Sequence, residues 1–505
     1  MLLLTERYET KIAGVLSCLD RVVITGILPS ICYAEAATNY LKSRNIRIFD
    51  YPKWAQSLRD EIRQRASHLA QKAKLTIHHQ RKANEDKEDY VAQVLQSRGD
   101  HPGLVCIISA MERCPTYEPW HDKSTHRTYL RGDEGKCLHY YFYFIDPELG
   151  LCYLRVPTWA PFRLQFYFNG HNALAMALRR RGIDFTLRDN AFLHIEDWKR
   201  AQQLADTLLP IPKLRYKLNQ YARQYCPPRR LFTEGYHWSL MQVEYATDIV
   251  FRLQQDLIPL YESLSRTAVH AVKAEQIGTF LGRPLHPLYR DEVGNRFETR
   301  IEGTCIKHQM GPVSIKMYDK FGLILRIETT TNQVSFFKHY RRVVHRDGTG
   351  TFKLAPLKKT IYSLPVLVEL MAASNRRYLE FLSTLDDPTP ALRDLEKIAR
   401  PVRENERSLR GFNLFDAQDL DLFVALVRGE FNISGFQNHH LRRLLGKNGH
   451  QVSLILKRLR LHGLIKKVGR RYKYYLTALG RKVIATALRL REIVIIPSLT
   501  EPAAA

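Results

Sequence analysis

The chain has 505 residues, 45% hydrophobic and 10% aromatic, which is enough to build packed cores and excludes a disordered polymer. Lys and Arg number 77 against 51 Asp and Glu, a net +26 whose plainest physical meaning is a polyanionic partner, since each neutralised phosphate releases condensed counterions. No apolar run approaches the roughly 20 residues that cross a bilayer, so no membrane span is expected.

At this length two to four domains are expected. The opening MLLLTERYETK turns polar too early for an export signal, which predicts a cytoplasmic protein. Residues 1–100 begin with a strand, DRVVITGIL, and continue as a mostly helical region. Residues 101–200 are strand-rich: GLVCIISAME, CLHYYFYFID, LCYLRVPTW and RLQFYFNG, with DPELG as a hairpin turn, then the helix HNALAMALRRRGI and a short strand FLHIED. Residues 201–295 read as helical, with apolar side chains at helical spacing through LMQVEYATDIVFRLQQDLIPLYESL. Strands return over 296–386, in RFETRIEGTCIKH, VSIKMYDK, LILRIETT and VSFFKHYRRVVH, followed by a helix. Residues 387–411 carry three prolines and mixed charges and read as a linker. No internal repeat is evident. The fold class is α+β: a mixed multi-strand body with a helical insertion, and a separate module at 412–495.

That module has the clearest pattern. FDAQDLDLFVALVRG, NHHLRRLLG and QVSLILKRLRLHG read as three helices, LIKKVGRRYKYYLT as a two-stranded ribbon, and ALGRKVIATALRL as a closing helix. The phrase GLIKKVGRRYKYYLTALGRKV resembles the wing and following helix of MarR-like winged helix-turn-helix regulators. In the third helix Val452, Ile455, Leu456 and Leu459 fall on one side, and His450, Ser453, Lys457 and Arg460 on the other, where a recognition helix meets DNA. From His440 to Lys482 there are thirteen Lys or Arg and no acid. Either this is a solvated basic face or it binds nucleic acid, and motif and charge together favour duplex DNA. Arg470 and Arg471 at the wing tip are then placed to enter a minor groove or grip the backbone, Lys473 beside them joins the nucleic-acid-binding set, and Lys457 and Arg460 are the candidates for base contacts.

In the body, VSIKMYDK and LILRIETT alternate apolar with charged residues, so Lys316, Tyr318, Arg326 and Glu328 fall on matching parities. This is either an ordinary solvated face or a working surface. The pair resembles the [KR]-x-Tyr-[Asp/Asn]-Lys and Arg-x-Glu strands of rolling-circle replication initiators of plasmids and filamentous phages. That resemblance implies Tyr318 as a nucleophile, Lys316, Lys320 and Arg326 as phosphate ligands, and a Mg or Mn ion. The family's His-hydrophobic-His metal pair is missing. Its nearest counterpart is His194-Ile195-Glu196, with Glu328 as a further ligand.

Other features carry less. Aromatic strands over 140–168 suit either a single-strand platform or a core, and core is favoured. Arg179, Arg180 and Arg181 end a helix and suit phosphate. His171 and Asn172 stand where a helix N-terminus would meet a phosphate. Asp146 reads as a turn residue. There is no GxxxxGK[ST] loop, so no nucleotide cofactor is expected. The eight cysteines include no CxxC pair, so no structural zinc is expected. Two functions follow: a DNA-nicking initiator-like or transposase-like protein of a plasmid or mobile element, targeted by its winged helix, with single-stranded DNA or structured RNA on the body; or a non-catalytic regulator or RNA-binding protein.

Overall fold

The computed structural model describes residues 3–489 apart from 82–84, 284–291, 301–302, 346, 387–395, 405–406, 414–415, 429–430, 432–434 and 469–471. It divides into two compact units, Met1–Asp386 and Asp387–Ala505. The chain adopts the α+β class expected from its sequence.

In unit 1 the four expected regions join around one sheet. Its strands are β1 (Ile12–Ile27), β2 (Ile77–His79), β3 (Gly103–Asp122), β4 (Arg127–Asp146), β5 (Gly150–Pro157) and β6 (Leu164–Asn169). After a small hairpin of β7 (Phe185–Arg188) and β8 (Ala191–Ile195) come β9 (His237–Phe251), β10 (Val293–Arg300), β11 (Gly303–Met310), β12 (Val313–Lys320) and β13 (Ile324–Thr331). The eleven-stranded order is β10-β11-β12-β13-β9-β1-β6-β5-β4-β3-β2. A repeat hidden in the sequence is visible here. β1 is followed by helices and a four-strand meander whose last strand, β6, returns to pair with it. β9 is followed by two helices and a second meander whose last strand, β13, returns to pair with β9. β1 and β9 pair antiparallel where the halves meet.

β9 lies within the stretch expected to be helical. Val243, Tyr245, Ile249 and Phe251 alternate into the core while Glu244 and Asp248 take the opposite parity. The helical spacing is realised only from Gln254, where the helix Gln254–Ala271 starts. A strand at the centre of a sheet gains more from pairing on both edges than local propensity can oppose.

One sheet face is covered by the helices Tyr51–Lys72, Ile211–Tyr225, Gln254–Ala271 and Leu364–Asp386, in a core that joins Leu58, Leu218, Leu257 and Leu367 to Phe142, Phe166, Ile249 and Ile327. The aromatic strands therefore serve mainly as core. The other face is covered in patches. Helices Gly170–Arg179 and Trp198–Asp206 pack on Leu16 and Cys18. β7–β8 packs near Val250 and Ile324, and helix Lys87–Arg98 covers Ile108, Tyr141, Tyr143 and Tyr153. The polar residues of β9, β12 and β13 belong to this second face. After β13, strands β14 (Lys338–Val344) and β15 (Gly350–Pro356) pair only with each other.

Unit 2 has the expected element order: helices Ala417–Leu426, Asn438–Leu445 and Gly449–Leu461, the ribbon Ile465–Val468 with Lys473–Leu476, and the helix Ala478–Arg489. Part of the expected linker belongs to it. Ile398 and Phe412 join the core of Phe423, Leu441, Val452, Leu456 and Leu459, and the Phe412 amide donates to the Ile398 carbonyl at 2.8 Å. So small a module needs this extra apolar surface to close its core. Residues 387–395 lie outside the described residues. Arg458 is buried rather than part of the basic face. It clamps Asp419 at 2.7 and 2.8 Å, donates to the Arg410 and Gly411 carbonyls, and lies 3.7 Å from the Phe412 ring centroid. Among the described residues no helix is long and apolar enough to cross a membrane.

Candidate metal centre on the central strands

The register between β1 and β9 slips at the sheet centre. Leu19 faces Tyr245 and Val22 faces Val243, which leaves both Asp20 and Arg21 opposite Glu244. A bulge of this kind re-aims a side chain. Beside it the helix Gly170–Arg179 starts so close to β1 that a Cβ on Gly170 would stand 2.1 Å from the Leu19 carbonyl oxygen. Glycine at 170 thus lets Asn169 and His171 reach Asp20. Asn169 Nδ2 donates to Asp20 Oδ1 at 2.6 Å, and Asn190 Nδ2 donates to both Asp20 oxygens at 2.8 Å.

β13 completes the group from the far side of β9, with Arg326 opposite Asp248 and Glu328 opposite Ala246. The Arg326 side chain is 0% exposed. It forks onto Asp248 at 2.6 and 2.7 Å, donates to the Asn190 carbonyl at 2.7 Å and lies 3.3 Å from Asp20 Oδ2. His171 stands 3.3 Å from Asp20 and 3.5 Å from Asp248. Burial works against charge on Asp20, but His171 and Arg326 outweigh it and hold the carboxyl well below the usual range. Burial is likewise outweighed at Asp248 by Arg326 and His171, and at His171 by the two carboxylates, which raise its pKa.

Glu328 accepts from Lys316 Nζ and from Tyr318 Oη, both at 2.7 Å, and from Thr330 Oγ1 at 3.2 Å. Lys316 faces Glu328 across the β12–β13 ladder and Tyr318 faces Arg326, so the four residues share one sheet face as their alternation predicts. Asp20, Glu244 and Glu328 each bring one oxygen within 4.8 Å of the others. That spread suits a hard cation with oxygen ligands at about 2.0–2.6 Å. Glu244 is half-buried and accepts a long hydrogen bond, 3.3 Å, from Gln242 Nε2. Burial and the Glu328 charge, opposed by Lys316 and reinforced by Asp20, push the Glu244 pKa up to about 7. The three carboxylates therefore carry negative charge that their protein partners do not fully balance, and the donor set fits Mg or Mn.

Glu244 binds its proton more tightly when folded, near 7, than at the ordinary value of 4.5. The stability this contributes is present below the ordinary value and lost as pH rises through about 7. Without divalent metal, stability to urea should decline between about pH 5 and pH 8. Glu244→Gln should flatten that decline, and Mn should oppose it at the upper end. An identical decline in the glutamine variant would assign it to other groups.

Several sequence-predicted residues fall elsewhere. Arg326 is too buried and too engaged to hold a phosphate; it positions Asp20 and Asp248 instead. Tyr318 is not tuned toward a phenolate. Burial and Glu328 raise its pKa, and Arg326 opposes them only in part. Lys320 hydrogen-bonds Asn190 Oδ1, and burial together with Arg326 lowers its pKa. His194 is exposed on β8 and Glu196 is exposed just after it, outside the large sheet, and the Asp184 amide donates to Glu196; the structure does not bring them into one carboxylate group with Glu328. His171 is buried among carboxylates, so it offers no phosphate contact. Arg179, Arg180 and Arg181 are exposed at a helix C-terminus, with Arg179 paired to Asp100 and Arg180 lying 3.6 Å from Glu148. Asp146 caps its turn, as expected, accepting from the Glu148 and Leu149 amides.

In unit 2 the third helix buries Val452, Leu456 and Leu459, half-buries Ile455, and exposes His450, Ser453 and Arg460. Ser453 bonds Asn438 Nδ2 at 3.0 Å. Lys457 lies 2.6 Å and Arg460 3.9 Å from Glu404 of the preceding hairpin, Val402–Glu404 with Arg407–Leu409. Lys473 is half-buried on the ribbon, and Arg470 and Arg471 lie outside the described residues.

Sequence reasoning missed Asp20, Glu244 and Asp248. The available signal was parity: Glu244 and Asp248 alternate against Val243, Tyr245, Ile249 and Phe251. Comparison with protein-family models, with curated proteins and with solved structures found no match to this chain.

Proposed function

We propose that this chain is a DNA-processing enzyme of the kind plasmids and mobile elements use, an initiator-like or transposase-like nickase that cuts a phosphodiester at Asp20, Glu244 and Glu328. The observation that carries the reading is the convergence of these three carboxylates on the incompletely covered sheet face of a chain with net charge +26. A Mg or Mn ion held there would polarise a phosphodiester oxygen and stabilise charge on the attacking and leaving oxygens. The chain's own groups prepare the site. Arg326 and His171 keep Asp20 ionised, Lys316 offsets part of the Glu328 charge, and the Tyr318 hydroxyl fixes the second Glu328 oxygen. A 410 Å³ cleft on the same sheet face is lined by Arg21, Lys87, Tyr141, Tyr143 and Tyr153 together with Glu85, Asp86 and Glu88, so it offers rings but no excess of cations. Arg21 at its edge acts electrostatically on Glu244.

Unit 2, read as a winged helix, would direct the cut through His450, Ser453, Lys457, Arg460 and the basic ribbon. For Lys457 and Arg460 this requires that DNA phosphate displace Glu404.

A second reading is favoured by one contact, the 2.7 Å hydrogen bond between Tyr318 and Glu328. It makes Tyr318 the nucleophile, attacking phosphorus to leave a 5′-phosphotyrosine and a free 3′-hydroxyl. Incubating the chain with supercoiled and single-stranded DNA in Mn or Mg tests both readings. Nicking that EDTA abolishes is expected. A covalent protein–DNA adduct lost in Tyr318→Phe selects the tyrosine, and nicking without an adduct selects water. DNA that is bound and never cut under either metal would leave a non-catalytic regulator.

A further inference from the structure

The ribbon β14–β15 has a face that no described residue of unit 1 covers. Its register puts Lys338, Tyr340, Arg342 and Val344 opposite Pro356, Leu354, Phe352 and Gly350. Tyr340, Val344, Phe352 and Leu354 are 64–66% exposed. The Tyr340 and Phe352 rings are stacked, with centroids 6.1 Å apart and planes at 26°. Four large apolar side chains gathered on one side of a two-stranded ribbon call for a partner. The base of the ribbon is secured, because Ala355 and Leu357 are buried and the Leu357 amide donates to the Phe337 carbonyl at 2.9 Å. The exposed rings are thus carried on an anchored element.

The charges around them identify the partner. Lys338 and Arg342 share the face of the rings, and Lys353 lies with Arg341 on the other face. Lys338, Arg342 and Lys353 are exposed, and among the described residues none of the three has a carboxylate within ion-pair distance. Arg341 is held by the Pro356 carbonyl at 3.1 and 3.2 Å. The one acid of the ribbon, Asp347, is turned to its own loop, accepting from Thr349. Planar rings interleaved with unpaired cations match a polynucleotide, whose bases stack and whose phosphates are anionic. A duplex hides its base faces, so the rings favour a single strand. An acidic protein surface would answer the cations but would leave the flat ring pair without a flat partner.

We propose that β14–β15 binds single-stranded nucleic acid, with Tyr340 and Phe352 stacking bases and Lys338 and Arg342, on the same face, holding phosphates. The assignment stands on this ribbon alone and does not require the carboxylate site to be catalytic.

Fluorescence anisotropy on the full chain in EDTA, where no metal-dependent step can proceed, tests it with labelled oligothymidylate, oligouridylate and a duplex of equal length. Tyr340→Ala with Phe352→Ala should weaken single-strand binding by about tenfold or more per ring, leave duplex affinity unchanged and leave the salt slope unchanged. Tyr340→Trp with Phe352→Trp keeps the stacking surfaces and should bind as the wild type does. Lys338→Ala with Arg342→Ala should flatten the salt dependence by about two phosphate contacts, and Lys353→Ala on the other face should leave it unchanged. The two oligonucleotides distinguish DNA from RNA, and tight binding of either supports the proposal. It is overturned if the ring double variant, with an unchanged thermal transition, binds single strands normally. Equal loss for single strand and duplex also overturns it, as does a change confined to oligomeric state, which would make the face a contact between copies of the chain. Loss of cleavage in a carboxylate variant that still binds oligothymidylate would concern only the enzymatic reading.

Discussion

Arg326→Met should destabilise unit 1 by about 3–5 kcal/mol, because it leaves buried carboxylates without their cation. Asp248 would lose both arms of the guanidinium fork and Asp20 a third contact, while the Asn190 carbonyl would lose its donor. Asp20, Asp248 and Arg326 are at most 3% exposed, so water cannot replace what is lost. The deficit should shrink at low pH, where the stranded carboxylates protonate and their charge disappears. Arg326→Lys should recover only part of it, since an ammonium cannot fork onto one carboxylate while reaching a second acid and a carbonyl. Urea unfolding followed separately for the two units is the measurement, with unit 2 unchanged as the internal control. A midpoint for unit 1 that does not move would mean the network contributes little.

Asp20→Asn and Glu328→Gln should each lower metal-dependent cleavage by a factor on the order of a thousand. Each removes one anionic oxygen from the group of three while keeping the side chain's shape. DNA binding in EDTA should survive both, because the basic ribbon and unit 2 are untouched. Glu196→Gln serves as the contrast: Glu196 is exposed just after β8, outside the carboxylate group, and the variant should cut normally. Cleavage that persists in Asp20→Asn and fails in Glu196→Gln would move the site to the hairpin.

Much of this was readable before the fold was known, and the failures have physical causes. Lys316, Tyr318 and Glu328 could be placed on one face because strand parity is local: the period of two fixes it within each segment. The face partition of the third helix of unit 2 was legible for the same reason at period 3.6. Asp20 and Glu244 were not legible, because their meeting depends on β1 pairing with β9, strands far apart in sequence, and on a one-residue slip in that pairing. The error at β9 compounded this, since a helical reading puts Glu244 and Asp248 on one side together with Phe251 and so hides their alternation against the core residues. Arg326 stands out in the sequence as a phosphate ligand, but in the structure it is buried and clamps Asp248. Sequence shows a cation next to a carboxylate but not its burial, and burial turns a phosphate ligand into a clamp. Arg458 is the same case in unit 2, one of thirteen basic residues and bound to Asp419 inside the core.

The central claim is that Asp20, Glu244 and Glu328 together hold a divalent cation. Mn binding to the full chain, followed by isothermal titration calorimetry in parallel with the EPR signal of free Mn, tests it most directly. One ion per chain should bind, with affinity increasing as pH is raised through about 7, where Glu244 gives up its proton. Glu244→Gln should remove most of that pH dependence, and Asp20→Asn with Glu328→Gln should remove the binding. A folded wild-type chain that takes up no Mn, or a double variant that binds it as tightly as the wild type, would contradict the claim.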